Sequence, residues 1–135
     1  MKATLYADGG SRGNPGPAAY GAVLKDENGN ILREIAAFLG TSTNNVAEWS
    51  GLIAGLEGAL ELGIDEIDVR LDSELVVRQL SGAYRVKQPH LMPLHAKAKA
   101  LLRRFNHTHV AHVRREHNKE ADALLNQVLD MHKQK

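Results

Sequence analysis

Leu5-Tyr6-Ala7-Asp8-Gly9-Gly10-Ser11-Arg12-Gly13-Asn14-Pro15-Gly16-Pro17 reads as a short apolar strand that runs into an aspartate and then into a glycine-rich loop. Three further acids occur in settings that can converge on Asp8. Glu48 opens a long helical pattern within Thr43-Asn44-Asn45-Val46-Ala47-Glu48-Trp49. Asp72 ends the run Ile67-Asp68-Val69-Arg70-Leu71-Asp72, and Asp122 falls in the first turns of the last helical pattern, Asn118-Lys119-Glu120-Ala121-Asp122. Hard divalent cations take oxygen ligands, and a two-metal phosphoryl-transfer site needs several carboxylates delivered from separate elements. Two strand ends and two helix starts can deliver them.

The rest of the chain supplies the frame. Ala3 to Asp8 is the first strand, Ala18 to Lys25 the second and Ile31 to Leu39 the third. The Asn28-Gly29 pair within Asp26–Asn30 predicts a hairpin turn, hence an antiparallel meander. Val46, Trp49, Leu52, Ile53, Leu56, Ala59 and Leu60 recur at helical spacing, predicting a helix from Val46 to Leu62. Thr43 or Asn44 can cap its start and Gly63 its end. Gly51, Gly55 and Gly58 lie near the opposite stripe, at about 1 kcal/mol each relative to alanine; close packing on a sheet would offset that loss. Glu66 to Asp72 is a fourth strand, and a right-handed crossover makes it parallel to the first. Asp8 and Asp72 then share one edge, where open α/β sheets gather ligands. A short helix Ser73–Ser81, a connection Gly82–Pro93, a helix to Phe105, a strand Thr108–Arg114 and a helix Asn118–Met131 complete the order. The expectation is a single domain over residues 1–135. Its fold class is α/β: a mixed five-stranded sheet, first three strands antiparallel and then parallel, flanked by helices.

Composition narrows the class. A content of 43% hydrophobic and 24% charged residues is that of a soluble globular protein rather than a disordered one. No apolar run approaches the roughly 20 residues that span a bilayer, and the N-terminus reads as a strand rather than a signal peptide. The chain has no cysteine, which excludes thiolate metal sites and is compatible with a cytoplasmic location. Aromatic residues are only 4%, leaving few platforms for stacking single-stranded bases. Net charge is +1, but Arg78, Arg85, Lys87, Lys97, Lys99, Arg103, Arg104, Arg114, Arg115 and Lys119 crowd the second half. That suits either a polyanion partner or a solvated helix face. The glycine-rich segment matches neither nucleotide-phosphate loop pattern, so nucleoside triphosphate binding is not expected.

Each acid alone has an ordinary reading as a helix cap or a first-turn charge. In order and spacing together, the four segments resemble the ribonuclease H type 1 family in its compact form, which lacks a basic protrusion. The likeness runs from Thr4 to Asp130. It implies the ribonuclease H-like fold and a metal-dependent endoribonuclease that cuts the RNA strand of RNA/DNA hybrids, leaving 5′-phosphates. Asp8, Glu48, Asp72 and Asp122 match the family's catalytic, metal-binding carboxylates, with two Mg²⁺ or Mn²⁺ ions roughly 3.5–4 Å apart. Residues matching Gly9, Ser11, Asn14, Asn44 and Asn45 contact the hybrid in its minor groove, where amides and hydroxyls suit the 2′-hydroxyl. Thr43 resembles the DNA-phosphate pocket residue, with Lys87 near the position of its partner.

Three departures qualify the likeness. Glu74 stands where many members carry glutamine, so its RNA contact is lost or metal-mediated. The stretch from Gly82 to Leu101 lacks the lysine-rich insertion, so affinity for hybrid is either lower or rests on Arg85, Lys87 and the helix after Pro93. The loop before Asp122 is short, and His117 is the one substitute for the mobile histidine of larger members. His107, His109 and His112 read as ordinary strand residues. No obligate protein partner and nothing beyond a monomer is implied. The competing readings are a catalytically weak hybrid-binding module and a related nuclease acting on other duplexes.

Overall fold

Alternation along Ala3, Leu5 and Ala7 buries one face of the first strand, and the sheet builds outward from it. The computed structural model describes residues 1–133. Strands β1 (Lys2–Ser11), β2 (Gly16–Lys25), β3 (Ile31–Ser42), β4 (Glu66–Leu71) and β5 (His107–His112) form one sheet in the order β3-β2-β1-β4-β5. The β1–β2 and β2–β3 pairs are antiparallel, and the β1–β4 and β4–β5 pairs are parallel. The expected mixed sheet is present.

Helices cover both faces. Helix α1 (Asn44–Glu61) packs on one face and carries α2 (Glu74–Ser81) and α3 (Met92–Leu102). Helix α4 (Lys119–Met131) lies on the other, over β1, β2 and β3. The larger core joins Leu5, Leu24, Leu52, Leu56 and Val69, and a smaller one joins Ala19 to Leu125 and Leu129. Among the described residues, no helix is long and apolar enough to cross a membrane.

One boundary differs from expectation in a way that matters. The glycine-rich segment is mostly sheet rather than loop: Gly9 pairs with Tyr20, Gly10 with Ala19 and Ser11 with Ala18. Only Arg12 to Pro15 turns the chain, closed by the Arg12 amide donating to the Pro17 carbonyl at 2.8 Å. Asp8 therefore stands inside the β1–β2 ladder, paired with Gly21, rather than at its end. The glycines of α1 pack closely on the sheet, as expected from their spacing. A Cβ at Gly55 would stand 2.5 Å from the Leu5 side chain, and one at Gly58 2.7 Å from that of Ile35. They face the sheet, while Trp49 meets the edge of the His95 ring on α3 at 5.5 Å between centroids. Layers on both sides bury α1, which explains a helix with so little polar surface.

Candidate active site

Asp8 pairs with Gly21 across β1 and β2, and β4 ends at Leu71, the register partner of Ala7. Asp72 follows immediately, so the parallel pairing alone sets it beside Asp8. Glu48 comes from the second turn of α1, whose start is fixed by the Thr43 hydroxyl accepting from the Val46 amide at 3.2 Å. Asp122 comes from the first turn of α4. All four carboxylates line one cleft of about 480 Å³, together with Gly9, Gly10, Ser11, Arg12, Asn44, Arg115, Leu125, Asn126 and Leu129.

Two of these acids are strongly perturbed. Asp8 is 8% exposed, and burial raises its pKa to about 8. The charge of Asp72, a side-chain hydrogen bond with it, and the charge of Asp122 act in the same direction, opposed by the Gly9 amide donating to Oδ1 at 2.9 Å. Burial raises Glu48 to about 7, with Asp72 adding to the shift and Ser73 and Arg115 opposing it. Oε2 of Glu48 is buried without a hydrogen-bond partner. Carboxylates that resist ionising one another, with an oxygen left unpaired, form an environment that a hard divalent cation would satisfy. Among the described residues, no three His, Asp or Glu side chains are placed closely enough to enclose a single ion. The donor set therefore fits ions that take further ligands from water or a bound phosphate rather than an all-protein cage.

The other expected site residues divide into two groups. Ser11, Asn14 and Asn44 are joined: the Ser11 amide and hydroxyl donate to Asn44 Oδ1 at 2.8 and 3.1 Å, and the Asn44 amide donates to Asn14 Oδ1 at 3.1 Å. This network ties the end of β1 to the start of α1 at the rim of the cleft, with Gly9 inside it. Thr43, Asn45, Glu74, Lys87 and His117 do not line the cleft. Thr43 spends its hydroxyl on the helix cap, and Asn45 follows on α1. Glu74 is exposed and bonded to Arg78 at 2.7 Å, which holds its carboxyl below the usual range. Lys87 is exposed on the connection between α2 and α3. His117 lines a separate cavity of about 160 Å³ with Tyr6 and Lys25.

Sequence reasoning missed two residues. Arg115 enters the cleft because a single 3-10 turn, Arg115–His117, precedes α4 and sends neighbouring side chains in different directions. The Arg114-Arg115 pair was visible, but nothing in it says which guanidinium turns inward. Asn118 is 1% exposed, and its Nδ2 donates 2.9 Å to the carbonyl of Ala7 while its own carbonyl accepts from the Asp122 amide at 3.1 Å. It links the strand of Asp8 to the helix of Asp122. Basic groups on and just after α3 lie elsewhere: Lys97 reaches Glu57 at 3.6 Å, and Arg104 lines a hollow with Glu57 and Glu61, toward the end of α1 remote from Glu48.

Comparison with known proteins gives a consistent picture. The reverse transcriptase-like family matches residues 6–128. A bifunctional protein of Mycobacterium tuberculosis is 48% identical over 131 residues, 96% of this chain and 36% of its own length. Ribonuclease HI of Halobacterium salinarum is 47% identical over 125 residues, 93% of this chain and 63% of that protein. The chain thus spans about a third of the first relative and less than two thirds of the second. Among solved structures, ribonuclease H1 of Halobacterium salinarum superposes with a TM-score of 0.94 at 45% identity, covering 97% of this chain and 99% of that one. LC11-RNase H1, in complex with RNA/DNA hybrid, superposes with a TM-score of 0.90 at 44% identity, covering 96% of this chain and 98% of that one.

Proposed function

This chain belongs to the ribonuclease H type 1 family, and from that membership we propose that it is an endoribonuclease hydrolysing the RNA strand of RNA/DNA hybrids to 5′-phosphate products by a two-metal-ion mechanism. The observation that carries the reading is the convergence of Asp8, Glu48, Asp72 and Asp122, from four separate elements, on one cleft. Mg²⁺ or Mn²⁺ held by these carboxylates would supply Lewis acidity and neutralise charge developing on the phosphate. The network of Ser11, Asn14 and Asn44 holds polar groups at the cleft rim, ready to meet a minor groove lined with 2′-hydroxyls. Fixing these groups before substrate arrives lowers the ordering cost of binding. A cytoplasmic, monomeric enzyme without an obligate protein partner belongs to the same proposal.

Arg115 takes the role expected of His117. Its guanidinium lines the cleft and acts on Glu48, whereas His117 opens into a different cavity. A cation there opposes the charge of the phosphate being cut. Arg115→Ala is expected to lower kcat about 10²-fold, and His117→Ala to change it by less than about twofold. Single-turnover cleavage rates of the two variants check this, and the reverse order would return the role to His117.

The test of the function itself compares an RNA/DNA hybrid, duplex RNA and duplex DNA, each with Mg²⁺, with Mn²⁺ and with chelator. Metal-dependent cuts confined to the RNA of the hybrid, with 5′-phosphate ends, are expected. Binding without cutting would leave a hybrid-binding module, and cutting of duplex DNA would move the protein to another substrate class.

A further inference from the structure

The cleft continues beyond the carboxylates. Past Asp122 it follows α4 along Leu125, Asn126 and Leu129 and reaches Arg12, on the turn between β1 and β2. Asn126 and Asp130 lie one and two turns after Asp122 on the same helix, roughly 6 and 12 Å along its axis. One guanidinium nitrogen of Arg12 contacts both, at 3.5 Å from Asn126 Oδ1 and 2.7 Å from Asp130 Oδ1. The Arg12 and Asp130 side chains are 42% and 67% exposed. An ion pair so open to solvent contributes little stability and exchanges readily. Leu125 and Leu129 are buried and give this arm of the cleft an apolar floor.

Among the described residues, Arg12 and Arg115 are the two cations lining the cleft. Arg115 serves the carboxylate end. Arg12 lies at the other end, joined through Ser11 to the network that faces the groove. Asn126 turns Oδ1 to Arg12 and donates Nδ2 to the Asp122 carbonyl at 3.0 Å, so it orients the guanidinium. Resting on the hybrid-cleaving reading above, we propose that Arg12, oriented by Asn126, forms a phosphate subsite for the RNA strand. The phosphate it takes lies about two or three nucleotides from the scissile one, since strand charges are spaced about 3.4 Å along the duplex axis. Asp130 is the intramolecular competitor for that subsite: it occupies Arg12 in the free protein and gives way to phosphate when the strand enters. This assigns a binding role to Arg12, with Asn126 orienting it and Asp130 competing for it, that none of the four carboxylates shares.

The test measures kcat, KM and the salt dependence of KM on a short RNA/DNA hybrid for the wild-type chain, Arg12→Ala, Asp130→Asn and the double variant. Direct hybrid binding in an Asp8→Asn background and thermal stability are measured alongside. Arg12→Ala should raise KM about 5- to 10-fold with kcat little changed, and reduce the salt slope by about one. Asp130→Asn should lower KM about twofold or more, and the double variant should match Arg12→Ala, because Asp130 acts only through Arg12. A single methylphosphonate at the assigned RNA position should abolish the difference between wild type and Arg12→Ala. Wild-type KM and salt slope in Arg12→Ala, with or without a fall in stability, would reduce Arg12 to a tether and overturn the proposal. A rise in KM in Asp130→Asn would overturn the competitor role. If the wild-type chain fails to cut hybrid, the functional reading falls first; the binding measurements then judge the subsite separately, an unchanged affinity in Arg12→Ala overturning it.

Discussion

Asp8→Asn is expected to abolish hybrid cleavage and, at the same time, to stabilise the metal-free protein. The loss of activity follows from removing the acid on which the charges of Asp72 and Asp122 both act and which would hold the ions acting on the phosphate. Metal-assisted stabilisation of the transition state is worth several kcal/mol, so the rate should fall by about 10³-fold or more. The gain in stability follows from the protonation behaviour. Folded Asp8 and Glu48 release their protons near pH 8 and 7, against ordinary values of 3.8 and 4.5. Between those limits the folded chain binds more protons than the unfolded chain, so stability declines as pH rises. The contribution of these two groups is fully present below about pH 4 and is lost as pH rises through about 8. The acidic limb has the opposite sign: Asp26, held low by the backbone and side chain of Asn30, loses its stabilising contribution when pH falls below 4.

Denaturant melts at a series of pH values in chelator should therefore show a wild-type optimum on the acid side of neutrality, and a flatter profile for Asp8→Asn. The loss across the window should appear as a falling denaturation midpoint, because each pKa shift is a stability difference between the two protonation states. Saturating Mg²⁺ or Mn²⁺ should restore wild-type stability at pH 8 and do much less for the variant. A wild-type chain that grows steadily more stable toward pH 8 in chelator would show that the carboxylates are not held together as described.

Gly9→Ala is expected to cost about 3 kcal/mol or more, near the upper end for overpacking, and to disable the site even where the chain still folds. A Cβ at Gly9 would lie 2.2 Å from the carbonyl carbon of Ala47 and 2.4 Å from the amide of Glu48. Both are backbone atoms, so no rotamer change relieves the clash; either α1 lifts away or β1 bends. On the opposite face, a Cβ at Gly21 would lie 2.4 Å from the carbonyl of Ala121, next to Asp122. Because Gly21 is the register partner of Asp8, these two glycines let α1 and α4 close on Asp8 from either side. Gly10→Ala is the control. Its nearest neighbours would be at 3.8 Å, an ordinary contact, and stability should change by less than about 0.5 kcal/mol. Equal effects at Gly9 and Gly10 would mean that backbone freedom, not the close approach of α1, sets the requirement.

Much of this was legible in the chain itself. The period-two and helical patterns, the Asn28-Gly29 turn and the right-handed crossover lead to the mixed sheet, and the crossover alone brings Asp8 and Asp72 to one edge. The four acids could be chosen because each sits where one element passes into another, and such junctions are local in sequence. Which glycines face a helix and which face a cleft was not local. The run Gly9-Gly10-Ser11 reads as loop because glycine disfavours strands, yet it pairs with Tyr20, Ala19 and Ala18 because α1 needs the missing side chain of Gly9. Thr43, Glu74 and Lys87 were placed by position along the chain; in the fold Thr43 caps α1, Glu74 pairs with Arg78 and Lys87 lies on an exposed connection, all outside the lining of the cleft. The inward turn of Arg115, the burial of Asn118 against Ala7, and the meeting of Arg12 with Asp130 all join segments far apart in sequence. The sequence by itself determined the antiparallel meander, the parallel fourth strand and the choice of four candidate acids, through patterns spanning a few residues each; only the tertiary packing placed β5 at the sheet edge and, with α1 and α4 on opposite faces, decided which side chains share the cleft, because side-chain direction at a crowded junction is set by what the neighbouring element leaves open.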